Sequence, residues 1–202
     1  GGNMKKFLVL LVTALLVGIF SAPAAKAEEG KIVLGSIWDQ VGIAAPIGQA
    51  AYRGAQVAIE LVNEEGGLLG RKVELYNIDG QSDATLIANA SSRLINELKV
   101  PCAMGLEDDS LASASAPIFQ EAKTVLLVGT ATTPSIPGIG DYIFLNAFGD
   151  NIQGRAAAKF AYKLGWRKVA VIQDSASAYS TDITKFCSDA FKEFTGDKNA
   201  SV

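Results

Sequence analysis

The sequence predicts an α/β protein: a parallel sheet with helices on both faces, preceded by a cleavable export signal. Three observations carry this expectation. Strand-length runs rich in apolar residues alternate with runs of helical period. Gly66-Gly67 and the stretch 134–140 punctuate them. The strand-helix alternation occurs four times in succession, which a parallel sheet with crossover helices accounts for directly.

The export signal comes first. Lys5 and Lys6 precede an apolar run over residues 7–20, and small residues follow up to Ala25-Lys26-Ala27, an A-x-A cleavage pattern. The run is too short to span a bilayer comfortably. An uncleaved anchor is the rival reading, and Pro23 with the small-residue tail argues for cleavage. No cysteine follows the cut, which argues against a lipid anchor there. Gly1, Gly2 and Asn3 precede the natural-looking start at Met4 and are read as a tag or gene-calling remnant. The remaining residues 28–202 suffice for one full domain or one and a part, at roughly 100 to 200 residues per domain.

The first mature elements are a strand over 31–37 and a helix whose apolar stripe runs through Ala51, Ala55, Ala58, Ile59 and Val62. Gly66-Gly67 ends that helix, and residues 68–71 turn the chain into a strand over 72–79. A dinucleotide-binding glycine motif follows a strand and opens a helix, so this one is structural punctuation. Ser82 reads as the N-cap of a helix over 83–97 with Leu86, Ala90, Leu94 and Ile95 facing inward. A strand over 100–105, a helix over 110–121 and a strand over 124–128 follow. After the break at 134–140 come a strand over 142–148, a helix over 151–164, a strand over 168–173 and a helix over 182–194.

Composition excludes several functions. Eighteen Lys and Arg against 21 Asp and Glu give a net charge of −3 with no basic block, which argues against nucleic acid. Histidine is absent, removing the commonest general base and zinc ligand. The pairs Glu64-Glu65 and Asp108-Asp109 accompany no nucleophile or metal constellation, and no G-x-S-x-G elbow surrounds Ser113, Ser115 or Ser180. No enzymatic activity, metal or cofactor is expected. Cys102 and Cys187 are read as buried free thiols on separate parts of the fold, although an exported protein could oxidise them.

Several segments carry a family likeness in order: Gly54-Ala55, residues 63–72, Asp79-x-x-Ser82-Asp83, Gly105 with Ala116-Pro117, Thr130-Ala131-Thr132-Thr133-Pro134, and Gly165-Trp166-x-Lys168-Val169-Ala170. Through them the chain resembles the branched-chain amino-acid type of periplasmic binding protein, the solute receptor of a bacterial ABC importer. The resemblance covers essentially all of residues 28–202. It implies a two-lobed α/β protein, each lobe Rossmann-like and the whole roughly twice this length, that traps solute between lobes. Residues 28–145 are then most of the first lobe, and 146–202 the hinge and the start of the second. The implied partners are a small solute, an amino acid or an amide-like relative, and a membrane permease, and the implied location is the periplasm. A ligand-sensing domain of a signalling receptor is the alternative.

In open α/β sheets, ligands sit beyond the carboxyl ends of the strands. In the family, two loops there hold a bound amino acid, the first through a hydroxyl and the second through backbone groups and a Thr hydroxyl. The resemblance places Asp109 where a Ser commonly stands, with Ser110 next to it, and matches Thr130, Ala131 and Thr132 to the second loop. A carboxylate at 109 would repel a ligand carboxylate and attract an ammonium, guanidinium or amide N–H. Helix capping by Asp108 or Asp109 is the competing reading. Trp38, in a loop about three residues longer than in those receptors, is either a cleft wall or a residue packed on its own lobe. Tyr179 matches a second-lobe Tyr that closes over solute, against an exposed loop Tyr. Asp150 and Asn151 read as an N-cap near the hinge.

Overall fold

The structure, a computed structural model, describes residues 30–196; the export signal and the final residues 200–202, expected to enter a strand, lie outside the described residues. Five strands form one sheet: β1 (Ile32–Ile37), β2 (Val73–Ile78), β3 (Cys102–Gly105), β4 (Val125–Val128) and β5 (Ile143–Leu145), in the order β2-β1-β3-β4-β5. All four pairings are parallel. Ile37 sits opposite both Ile78 and Gly105, Gly105 opposite Val128, and Val128 opposite Leu145. The five carboxyl ends are therefore level, and the loops that leave them share one edge.

The helices are α1 (Ala45–Glu64), α2 (Ala84–Asn96), α3 (Asp109–Glu121), α4 (Asp150–Lys163) and α5 (Ala178–Thr195). The crossover through α1 runs from β1 outward to β2, whereas those through α2 and α3 run the other way across the sheet. Right-handed crossovers of opposite travel put their helices on opposite faces. On the α2–α3 face, Ile87, Leu94 and Phe119 pack with Leu126 and Val128, all fully buried. The Ser91 and Ser115 hydroxyls meet there at 2.7 Å, so Ser115 is a satisfied core residue. The other face is less covered: Leu127 and Phe144 of the sheet and Val57 and Leu61 of α1 are exposed.

The segment after α1 shows why its sequence is glycine-rich. Asn63 clamps β2 from both sides, Nδ2 donating to the Val73 carbonyl and Oδ1 accepting from Val73 N at 2.8 and 2.7 Å. To return so tightly, Gly67 adopts φ 78° and presses against the Arg71 backbone, where a side chain would collide. Only glycine enters that region without a steric penalty.

Several expectations shift. The cap of α2 is Asp83, which accepts from Leu86 N at 2.9 Å, while Ser82 is drawn away to Asp39. Ile87 rather than Leu86 faces the core, a one-residue change of phase that leaves Leu86 partly exposed. Residues 168–173 pair with no strand among the described residues and so form none, and Ile172 is 99% exposed. An apolar run can be extended without being a strand when nothing supplies the ladder. The last helix begins at Ala178, one turn before the expected 182, because Ser177 caps it through Ser180 N. α4 and α5 pack together around Ala158, Ala161, Ala190 and Phe191.

Candidate functional site

The carboxyl edge of the sheet is built from loops 38–44, 79–83, 106–108 and 129–136, the connection 146–149, and the helix N-termini they feed. These segments with the first residues of α3 and α4 contain Asp39, Asp79, Asp83, Glu107, Asp108, Asp109 and Asp150, and no Lys or Arg. Asp83 and Asp108 are explained locally. Asp108 caps α3, its Oδ1 accepting from Ser110 N and Leu111 N at 2.8 and 3.1 Å. This resolves the capping question at the start of α3 in favour of Asp108.

Asp109 points instead into the loop after β4. Its Oδ1 accepts from Thr132 N at 2.6 Å and Thr133 N at 2.9 Å. Thr132 Oγ1 donates to Asp150 Oδ1 at 2.6 Å, and Thr133 Oγ1 to Asp182 Oδ2 at 2.6 Å. Asp150 N donates back to the Thr132 carbonyl at 3.0 Å. The two threonines thus gather three carboxylates from three helices. Gly149 occupies the N-cap position of α4 without a side-chain bond, and Asp150 is a buried first-turn residue. That corrects the expectation that Asp150 or Asn151 caps this helix: the Asp150 side chain is held by Thr132 instead.

A second cluster lies over β1, β2 and β3. Glu107 Oε1 accepts from Asp39 N at 2.9 Å, and Asp39 Oδ2 accepts from Ser82 Oγ at 2.5 Å. Asp79 Oδ1 accepts from Gln40 N and Gln81 N at 2.8 and 3.0 Å. Gly48 of α1 passes so close to Glu107 and the Asp39 backbone that a side chain there would overlap both. Trp38 is held by Asn77, whose Oδ1 accepts from Trp38 N at 2.9 Å while Nδ2 donates to the Trp38 carbonyl at 3.1 Å. Its ring packs against Gly129 and is 5% exposed, with the indole N–H unpartnered.

Burial pushes the Glu107 carboxyl up to about 7, with Asp39 and Asp79 adding repulsion against the backbone N–H that opposes the rise. Burial also raises Asp39, Asp109 and Asp150 above the ordinary carboxylate range, more than their N–H and O–H donors lower them. Neighbouring carboxylates add to each shift, Asp79 and Asp108 acting on Asp39, Asp108 and Asp182 on Asp109, and Asp109 and Asp182 on Asp150.

Of the other expected site residues, Ser110 is exposed in the first turn of α3 and Ala131 is 2% exposed beneath the loop. Thr130 is half-buried with its hydroxyl unpartnered. Tyr179 stands in the first turn of α5, 42% exposed, so it is helical where a loop was expected. The structure brings 109, 130, 131 and 132 together, with 38 beside them through Gly129. Asp39, Glu107 and Asp182 were not foreseen; the acidic run 107–109 directly after a strand was the available signal. Among the described residues no group of His, Cys, Asp and Glu is arranged to hold a metal. Cys102 and Cys187 are free and half-buried. Surface troughs of about 250 Å³ beside Ile95 and Ile118, and about 390 Å³ between α4, α5 and residues 166–171, lie away from this edge.

A parallel sheet with this strand order, and a polar edge at its carboxyl ends, defines the class of open α/β ligand-binding folds. The model of the periplasmic binding protein family matches residues 31–201, and the chain belongs to that family. It is 28% identical over 184 residues to the Leu/Ile/Val-binding protein BraC3 of Rhizobium johnstonii, covering 90% of this chain and 48% of the relative. The leucine-binding protein of Thermotoga maritima superposes with a TM-score of 0.74 at 31% identity, over 80% of this chain and 46% of that one. A solute-binding protein of Rhodopseudomonas palustris in complex with p-hydroxybenzoic acid gives 0.72 at 27%, over 81% and 44%. The chain spans about half the length of these relatives.

Proposed function

We propose that this protein is the extracytoplasmic solute receptor of an ABC importer, binding an amino acid or a related small polar solute in a cleft between two lobes and delivering it to the permease. The observation that carries the reading is the junction of the loops after β3 and β4, tied through Asp109 to Thr132 and Thr133, at the edge where such folds take ligands. The similarity to leucine- and p-hydroxybenzoate-binding proteins supports it, as does the export-signal pattern.

On this reading Trp38, Asp109, Ser110, Thr130, Ala131 and Thr132 form the first-lobe wall, and Tyr179 contributes from the second. Domain boundaries near 145 and 146 follow from the same reading. Solute touching both walls stabilises the closed arrangement by the difference in contacts it makes there. No step of chemistry is required.

The test is a thermal-shift screen of the full-length protein against amino acids, amides, amines and aromatic acids. One solute class at 100 times its Kd adds about 2.7 kcal/mol of stability, a rise of several degrees, and Thr132→Ala reduces it. A folded protein that none of these solutes stabilises would overturn the receptor reading.

A further inference from the structure

We propose that the part of the solute recognised by this edge is cationic: ammonium, amidinium or guanidinium groups seat against its buried carboxylates, Asp39 and Glu107 in one cluster and Asp109 and Asp150 in the other. The inference rests on the receptor reading and narrows its solute class.

Two independent observations point to it. The first is a census of donors. Six backbone N–H groups of the edge already hold a carboxylate of the protein itself: Thr132 and Thr133 give theirs to Asp109, Ser110 and Leu111 to Asp108, Asp39 to Glu107, and Gln40 to Asp79. In effect Asp109 occupies from within the cradle that a solute carboxylate would need. The second observation is what these bonds leave over. Asp39 Oδ1, Glu107 Oε2, Asp109 Oδ2 and Asp150 Oδ2 are buried and have no partner, in side chains 0%, 8%, 2% and 0% exposed. Among buried side-chain atoms of the described residues the leftover donors are fewer, the Trp38 indole N–H and the Thr130 hydroxyl.

A buried carboxylate oxygen without a partner is strongly unfavourable, and the protein must either protonate it or bring in a positive charge. Capping cannot account for these four, because Asp83 and Asp108 hold the caps of α2 and α3, and α4 has no side-chain cap. No Lys or Arg lies in the loops to neutralise them. An organic cation would, through charge-assisted hydrogen bonds, and the Trp38 ring beside Gly129 provides an aromatic neighbour for it. Glu107, held up by burial and by Asp39 and Asp79, would lose its proton as the cation enters, since an adjacent positive charge favours the ionised form.

The experiment is isothermal titration of the full-length protein at pH 6.5 with agmatine, putrescine, L-leucine and 4-hydroxybenzoate, each in two buffers of different ionisation enthalpy. Agmatine or putrescine is expected to bind with net proton release. Removing one charge-assisted partner in Glu107→Gln should weaken binding about 10- to 100-fold and reduce the release. Asp109→Asn provides a second variant, and circular dichroism establishes that each is folded. Binding of 4-hydroxybenzoate alone, or of L-leucine with an affinity unchanged in Glu107→Gln and Asp109→Asn, would overturn the cationic class while leaving the receptor standing. Binding of none of the four by a protein that also fails the wider thermal screen would overturn both.

Discussion

The two edges of the sheet treat charge in opposite ways. At the amino edge, acidic and basic residues mingle in solvent: Lys31 meets Glu74 at 2.8 Å and Arg93 meets Glu97 at 3.2 Å, all four side chains at least half exposed. At the carboxyl edge, carboxylates are buried, held by amides and hydroxyls, and have no basic neighbour in the loops. Helix polarity explains part of this, because α2, α3 and α4 begin at the carboxyl edge, and the positive ends of their dipoles favour acids. It explains the exposed caps better than the buried four. A macrodipole contributes about 0.3 to 1 kcal/mol at an exposed site, less than the several kcal/mol of burying an ion. The difference between the edges teaches that one keeps its charges in solvent at little cost, while the other bears a burial cost that helix polarity does not account for.

The largest effect that can break this comparison is at Asp109. Asp109→Ala leaves Thr132 N and Thr133 N without their acceptor. At about 1 to 3 kcal/mol for each stranded group, the expected loss is about 3 kcal/mol, read as a fall in the urea midpoint. Asp109→Asn keeps an acceptor and should cost much less. If Ala and Asn are equal, the carboxylate is not organising the loop and the contrast between edges loses its strongest element.

Next comes the pH dependence of Glu107. Its folded-state pKa, about 7, lies above the ordinary 4.5, so the folded protein holds this proton more tightly than the unfolded chain. Stability is therefore full below about 4.5, falls as pH rises towards 7, and is level above that. The contribution is on the order of 2 kcal/mol once solvent screening is allowed for. Asp39, Asp109 and Asp150, also raised, act with the same sign. Urea midpoints at pH 5 and pH 8 should differ for the unliganded protein, and Glu107→Gln should shrink the gap. An unchanged gap in that variant would place the slope elsewhere.

Much of the fold was legible because its signals are local. The strand-helix alternation and the Gly66-Gly67 turn follow from near neighbours in sequence, whereas Asp109 stands out only through the family resemblance. The rest depends on distant pairs. Nothing near Glu107 announces that Asp39, 68 residues earlier, donates its amide to it; nothing near Trp38 announces Gly129. Ser82 and Asp83 are equally good caps by type, and the choice was made by Asp39, which takes the Ser82 hydroxyl. The run 168–173 has the composition of a strand, but strand formation belongs to a pair of segments and no described partner is present. Tyr179 lies in a helix for a local reason: Ser177 caps α5 and starts it a turn before residue 182.

The smallest effect sharpens the contrast from the other side. Lys31 lies at the amino end of β1 and its Nζ reaches Glu74 Oε2 across the parallel β1–β2 pair, with side chains 64% and 51% exposed. Such a pair gains little because water screens the attraction and two long side chains must be ordered to make it. Lys31→Ala should leave the urea midpoint unchanged within error at 0.15 M salt and leave solute binding untouched, because the exposed Lys31 side chain lies at the opposite edge of the sheet from the carboxylates. A clear loss of stability would mean that the amino edge also depends on its charges. The asymmetry would then reflect only which residues are buried, and the unpaired carboxylates would lose their standing as a feature reserved for solute.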